Sequence, residues 1–118
     1  FLQPIKIVEG PLDSLFLDNC LAAAGADLKN VKKSIPKEQI TYIYDNEPRN
    51  REIIKHMYNV INSGYNIVIW PDDLKHKDIN DMILSDLTSE QISDIIHNNK
   101  FNGLAATAKL DFWKRVQI

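Results

Sequence analysis

Acidic residues gather at three places in this chain, and each gathering follows a short apolar run. "IKIV" (5–8) runs into Glu9 and Gly10, with Asp13 just beyond. "ITYIY" (40–44) runs into Asp45, Asn46 and Glu47. "NIVIW" (66–70) runs into "PDD" and then "KDIND", which holds Lys77, Asp78 and Asp81. Taken singly, each acid is ordinary loop composition, since Asp, Asn and Glu populate exposed turns for local reasons. Taken together they imply more. Carboxylates brought to one place repel one another and are costly there unless a cation holds them. With one cysteine and three histidines in the chain, such oxygens suit Mg²⁺ or Mn²⁺ better than Zn²⁺.

The elements that must position these acids are legible from periodicity. The three apolar runs are compact, rich in β-branched and aromatic residues, and bounded by Gly, Pro, Asn or Asp, as buried strands are. After the first, "PLDSLFLDNCL" places Leu12, Leu15, Phe16, Asn19 and Cys20 on one helical stripe, with Pro11 in the first turn. "LAAAGAD" (21–27) reads as a further short strand ending at Gly25. Between the second and third runs, Ile53, Ile54, Met57, Tyr58, Val60 and Ile61 recur at helical spacing, and Gly64 supplies the stop. Strand, helix, short strand, strand, helix, strand gives a small parallel sheet flanked by helices. In such a sheet the strands end on a common edge, where ligands bind. The acids are therefore expected to meet.

Beyond Asp78 the chain reads as helical. "INDMILSDL" follows the acidic loop, and "TSEQISDIIHNN" opens on a capping box of Thr88 and Gln91. "GLAATAKLDFWKRV" carries Leu104, Ala108 and Phe112 four apart, as one helix face does. The expected division is a core over 1–87 and a C-terminal helical extension over 88–118 packed on it, in one α/β, Rossmann-like domain.

Length and composition agree. A chain of 118 residues with 44% hydrophobic and 25% charged residues makes a single globular domain and excludes disordered or collagen-like classes. No apolar run approaches the ~20 residues of a membrane span, so no membrane partner is expected. The single cysteine, Cys20, excludes an internal disulfide and reads as a small buried thiol. A net charge of −2 does not announce a nucleic-acid binder, although bound cations would reverse the local field of an acidic site. Lys29, Lys32, Lys33 and Lys37 form a basic cluster, read as a wet face or a phosphate track. Phe112, Trp113, Lys114 and Arg115 form an aromatic and basic tail, read first as packing. The chain opens "FLQPIKIV" with no initiator methionine, and is read as a fragment of a longer protein or a processed chain.

The motifs resemble a known family. "VEGPLDSLFL" is similar to the first motif of the Toprim domain, the catalytic module of DnaG-type primases, type IA and II topoisomerases and several nucleases. Its primase version has Glu-Gly-x-x-Asp, matched by Glu9, Gly10 and Asp13. "YDNEPRNR" resembles the second motif, Asp-x-Asp followed by a small-residue turn and an Arg, here Asp45, Glu47 and Arg51. "KDIND" resembles the third acidic element of phage primases, through Lys77, Asp78, Asn80 and Asp81. Glu47 stands where the family has a second Asp, and Asn50 where it commonly has a glycine. The resemblance spans about residues 5–84.

What the resemblance implies is phosphodiester chemistry. Glu9 would be the general acid/base, and Asp45, Glu47 and Asp78 would hold Mg²⁺ or Mn²⁺. Gly10, Asp13 and Asp81 would support them, while Lys77 and Arg51 would face phosphate. The expected activity is that of a DNA primase of bacteriophage type, a nucleotidyltransferase making RNA primers during DNA replication. Its partners would be single-stranded DNA template and NTPs, with a replicative helicase as a further candidate, in the cytoplasm (the host's, if viral). The alternatives are a Toprim nuclease of the RNA-maturation kind, a receiver-like signalling module, or a non-catalytic scaffold.

Overall fold

A computed structural model describes residues 4–22 and 33–117. Its centre is a five-stranded sheet in the order β2-β1-β3-β4-β5. The strands are β1 (Ile5–Val8), β2 (Cys20–Ala22), β3 (Ile40–Ile43), β4 (Asn66–Val68) and β5 (Lys100–Phe101). β1 pairs in parallel with β2 and β3, β3 in parallel with β4, and β4 antiparallel with β5. The helices are α1 (Pro11–Ser14), α2 (Arg51–Asn62), α3 (Ile79–Leu84), α4 (Ser89–Asn98) and α5 (Gly103–Trp113). The expected α/β class, with a parallel-type sheet, flanking helices and a C-terminal helix, is the one observed.

The central strands are apolar runs because both faces are covered. All of β3 and β4 is buried, as are Ile7 and Val8 of β1. Ile54, Met57, Met82, Ile92 and Leu110 close over them at 1% exposure or less. Each such side chain contributes about 2–3 kcal/mol relative to leaving it in water. Two polar side chains among these strands are paired. Asn66, 6% exposed, donates to the Glu38 carbonyl at 2.8 Å and accepts from Asn102 at 3.0 Å. The Trp70 indole N–H donates to the Tyr44 carbonyl at 2.8 Å, tying the tip of β4 to the tip of β3.

The order 2-1-3-4 fixes where a ligand would go. The chain leaves β1 to one side to form β2, then returns to the other side to form β3. That reversal makes a topological switch point between β1 and β3, and open α/β sheets bind ligands in the crevice beyond it. Glu9 follows β1 and Asp45 lies just past β3.

The stripe expected from Leu12 to Cys20 does not form. α1 stops at Ser14, Leu15 is 74% exposed, and Asn19 adopts a left-handed φ of 52°. Asn tolerates that conformation better than most residues. It turns the chain so that its carbonyl accepts the Lys6 N–H at 2.9 Å and Cys20 enters β2 beside Lys6. Backbone pairing along the edge of β1 outweighs a weak helical pattern of five residues. The Gly25 expected to end this strand lies outside the described residues.

Helix signals fared better where a cap accompanies them. Asn50 caps α2 by accepting the Ile53 N–H at 3.1 Å, and Gly64, at φ 91°, ends it. The expected capping box on α4 is present. The Thr88 hydroxyl accepts the Gln91 N–H at 3.1 Å, and the Gln91 side chain accepts the Thr88 N–H at 2.9 Å. Thr88→Ala should lower stability by about 1 kcal/mol, read as a lower urea midpoint at unchanged m-value.

The C-terminal third is more than helices, because β5 joins the sheet. α5 forms as expected, and the stripe of residues four apart that marked it faces solvent. Leu104 and Phe112 are 89% and 83% exposed, while Ala106, Leu110 and Trp113 are buried. The helix is apolar on both sides, and burying Leu110 and the large Trp113 settles which side faces in. Its end is fastened next to the acidic loops. The Arg115 N–H donates to the Pro48 carbonyl at 2.7 Å, and its guanidinium reaches Asp72 at 3.4 Å.

Candidate metal centre

Three carboxylates meet at the crevice. Asp13, Asp45 and Asp78 each offer one oxygen, and these oxygens lie within 4.8 Å of one another. Asp13 comes from α1, immediately after β1; Asp45 from the loop after β3; Asp78 from the N-cap of α3. Each is aimed by a backbone bond. Asp13, 9% exposed, accepts the Asn80 N–H through Oδ1 at 2.9 Å. Asp78 accepts the Asp81 N–H through Oδ1 at 2.8 Å. In both residues the second oxygen is the one these bonds leave over.

Electrostatics confirm the crowding. The Asp45 carboxyl is pushed up to about 7, first by burial and then by Glu9, Asp13, Asp78 and Glu47. The Asp13 carboxyl is also raised, chiefly by burial; its bond from Asn80 opposes that and Asp78 adds to it. Burial is the larger cause at both carboxyls and neighbouring carboxylates add to it, and a cation held among them would favour the ionised forms. The donor set fits a hard divalent ion. A six-coordinate Mg²⁺ with oxygens at about 2.0–2.1 Å keeps its ligands about 3–4 Å apart, a small side-chain adjustment from the separation found.

The remaining residues singled out from sequence lie around this trio. Glu9 is exposed at the end of β1, where its Oε1 faces the Asp45 N–H at 3.4 Å. Glu47 lies 4.0 Å from Lys77, an exposed pair of the kind that contributes about 0–1 kcal/mol. Asp81 turns back to accept the Lys77 N–H at 3.2 Å. The Arg51 guanidinium donates to the Gln117 carbonyl at 3.4 Å, beside the C-terminal tail. A Cβ on Gly10 would sit 3.8 Å from Asp13 Oδ2, an ordinary contact, so space alone does not require glycine there. Of the basic cluster, Lys29 and Lys32 lie outside the described residues, and Lys37 donates to the Ser63 carbonyl at 2.8 Å. Sequence reasoning placed Asp13 among the supporting residues; the structure sets it in the trio itself. It overlooked Asn46, whose amide reaches two carbonyls of the loop leading to Asp78.

Comparison with known proteins adds a relative. The DNA primase of Enterobacteria phage T4 is 35% identical to this chain over 115 residues, covering 95% of the chain and 33% of that protein. The chain thus spans about a third of the length of the curated relative it matches. No protein-family model matches it. Over the matched residues the chain is related in sequence to that primase, and it carries an acidic trio compatible with a divalent metal. Among the described residues, no helix is long and apolar enough to cross a membrane.

Proposed function

We propose that this chain is the Toprim catalytic domain of a DNA primase, acting in Mg²⁺- or Mn²⁺-dependent nucleotidyl transfer. One observation carries the reading: Asp13, Asp45 and Asp78 converge at the switch point of a sheet whose sequence is related to a primase. In this reading those three carboxylates hold the ion, with Glu47 adding negative charge beside them. The bound ion supplies charge neutralisation at the phosphoryl group undergoing in-line displacement. Glu9 is the base. It stands at the tip of β1, exposed to the crevice and alongside Asp45, where it takes the proton of the attacking hydroxyl. Lys77 and Arg51 are exposed, Lys77 beside Glu47, and in this reading both face phosphate charge. Template is single-stranded DNA, substrates are NTPs, and a replicative helicase is the proposed partner, in the cytoplasm of the host cell.

Primer synthesis tests this on the protein that contains residues 1–118. Glu9→Gln should lower labelled NTP incorporation on single-stranded DNA about a thousandfold, the usual scale for removing a general base. Its circular dichroism and melting temperature should stay as in wild type. Near-normal synthesis would overturn the assignment. Cleavage of labelled RNA with no primer synthesis by the wild type would replace joining with cutting.

A further inference from the structure

Asn46 stands between two acids, Asp45 and Glu47, yet carries no charge. Its side-chain amide donates to the carbonyls of Leu74 and His76, both at 2.9 Å. Its backbone N–H donates to the carbonyl of Lys77. One half-buried residue therefore makes three hydrogen bonds to the short segment 74–77, about thirty positions away along the chain. The residue before Asn46 is Asp45, and the residue after Lys77 is Asp78. The clasp thus joins the two segments that carry Asp45 and Asp78.

Leu74 also packs against the hydrophobic core, but among the described residues the other hydrogen bonds of that segment are local. The Leu74 N–H donates to Pro71, and the Lys75 ammonium to the Asp72 carbonyl. The Arg115–Asp72 pair is exposed. The His76 ring does not fasten it either, since its buried Nδ1 has no partner among the described residues. Against this stands the mutual repulsion of the carboxylates, which pushes the two loops apart. Fixing a residue's backbone costs conformational entropy, and a site ordered only on binding loses that from its affinity.

We propose that Asn46 is a positioning residue for the divalent cation: its amide clasps the 74–77 segment to the tip of β3 and so presets the gap between Asp45 and Asp78. This rests on the reading that the acidic trio holds the ion. The clasp acts through its two N–H donors and not through charge, and that separates it from a plain electrostatic role. Asn46→Asp adds a negative charge beside the ion while replacing those donors with oxygens that repel the Leu74 and His76 carbonyls.

The test is Mn²⁺ titration at pH 8, followed by the electron paramagnetic resonance of free Mn²⁺, on wild type, Asn46→Ala and Asn46→Asp. Both variants should bind at least tenfold more weakly than wild type, with cation-free melting temperatures within a few degrees of it. Equal or tighter binding by Asn46→Asp overturns the proposal. Should neither variant fold, Asn46→Gln, with the same donors on a longer arm, should bind severalfold more weakly, and wild-type affinity in it is the contrary result. Absence of saturable binding in the wild type removes the cation reading itself and the clasp with it. Tight binding by wild type and Asn46→Asp alike removes the clasp alone.

Discussion

Asp45→Asn is expected to raise the melting temperature of the cation-free protein at pH 8 and to abolish its stabilisation by Mn²⁺. The Asp45 carboxyl titrates at about 7 in the folded chain against an ordinary 3.8, through burial and then through Glu9, Asp13, Asp78 and Glu47. A folded-state value above the unfolded one means that the native state holds the proton more tightly. Stability therefore falls as pH rises from about 4 to about 7 and levels off above that. Asparagine cannot ionise, so its advantage over aspartate grows through the same window and is constant beyond it. Solvent screening at a half-exposed carboxyl trims the gain to a few degrees. With Mn²⁺ at a hundred times its dissociation constant, wild type gains about 2.7 kcal/mol, and the variant gains little. Calorimetry at pH 4, 6 and 8, with and without Mn²⁺, reads both effects. A variant that melts lower at pH 8, or keeps the full Mn²⁺ gain, contradicts the trio.

Affinity for the ion should depend steeply on pH. The cation needs Asp45 ionised, so below about pH 7 it competes with a proton. Each further unit then weakens apparent binding about tenfold. From pH 8 to pH 5 the loss is on the order of a hundredfold, one proton being released per ion bound near pH 6. The raised Asp13 carboxyl makes the fall steeper at the acid end. Isothermal titration in buffers of different ionisation enthalpy gives both the affinity and the proton count. Binding that stays level from pH 8 to pH 5.5 would place the ion on other, ordinary surface carboxylates.

Much of this arrangement is written in short stretches of sequence. Three bounded apolar runs gave β1, β3 and β4, and their acidic ends gave the crevice, because parallel strands finish on one edge. Caps were readable for the same reason: Thr88 and Gln91 satisfy each other within one turn, so no distant residue can overrule them. Failures arose where tertiary contacts decide. The stripe through Leu15 and Cys20 lost to pairing with β1, and the rotation of α5 was settled by what Trp113 and Leu110 could bury. β5 is two residues long, too short to show any period. The prominence of Asp13 depends on the Asn80 N–H, 67 positions away, and Asn46 depends on carbonyls 28 and 30 positions away. The motif pointed to Asp13 only as a supporting residue, and no pattern of residue types announces the role of Asn46.

The central claim is that carboxylates from three separate segments grip one divalent ion. Paramagnetic broadening of amide resonances by trace Mn²⁺, recorded at pH 8, tests it most directly. Signals around residues 9–13, 45–47 and 78–81 should vanish first and together, at a single saturable stoichiometry. Broadening that centres instead on Asp72 and Asp73, or spreads evenly over the acidic surface, would show that the three segments share no ion.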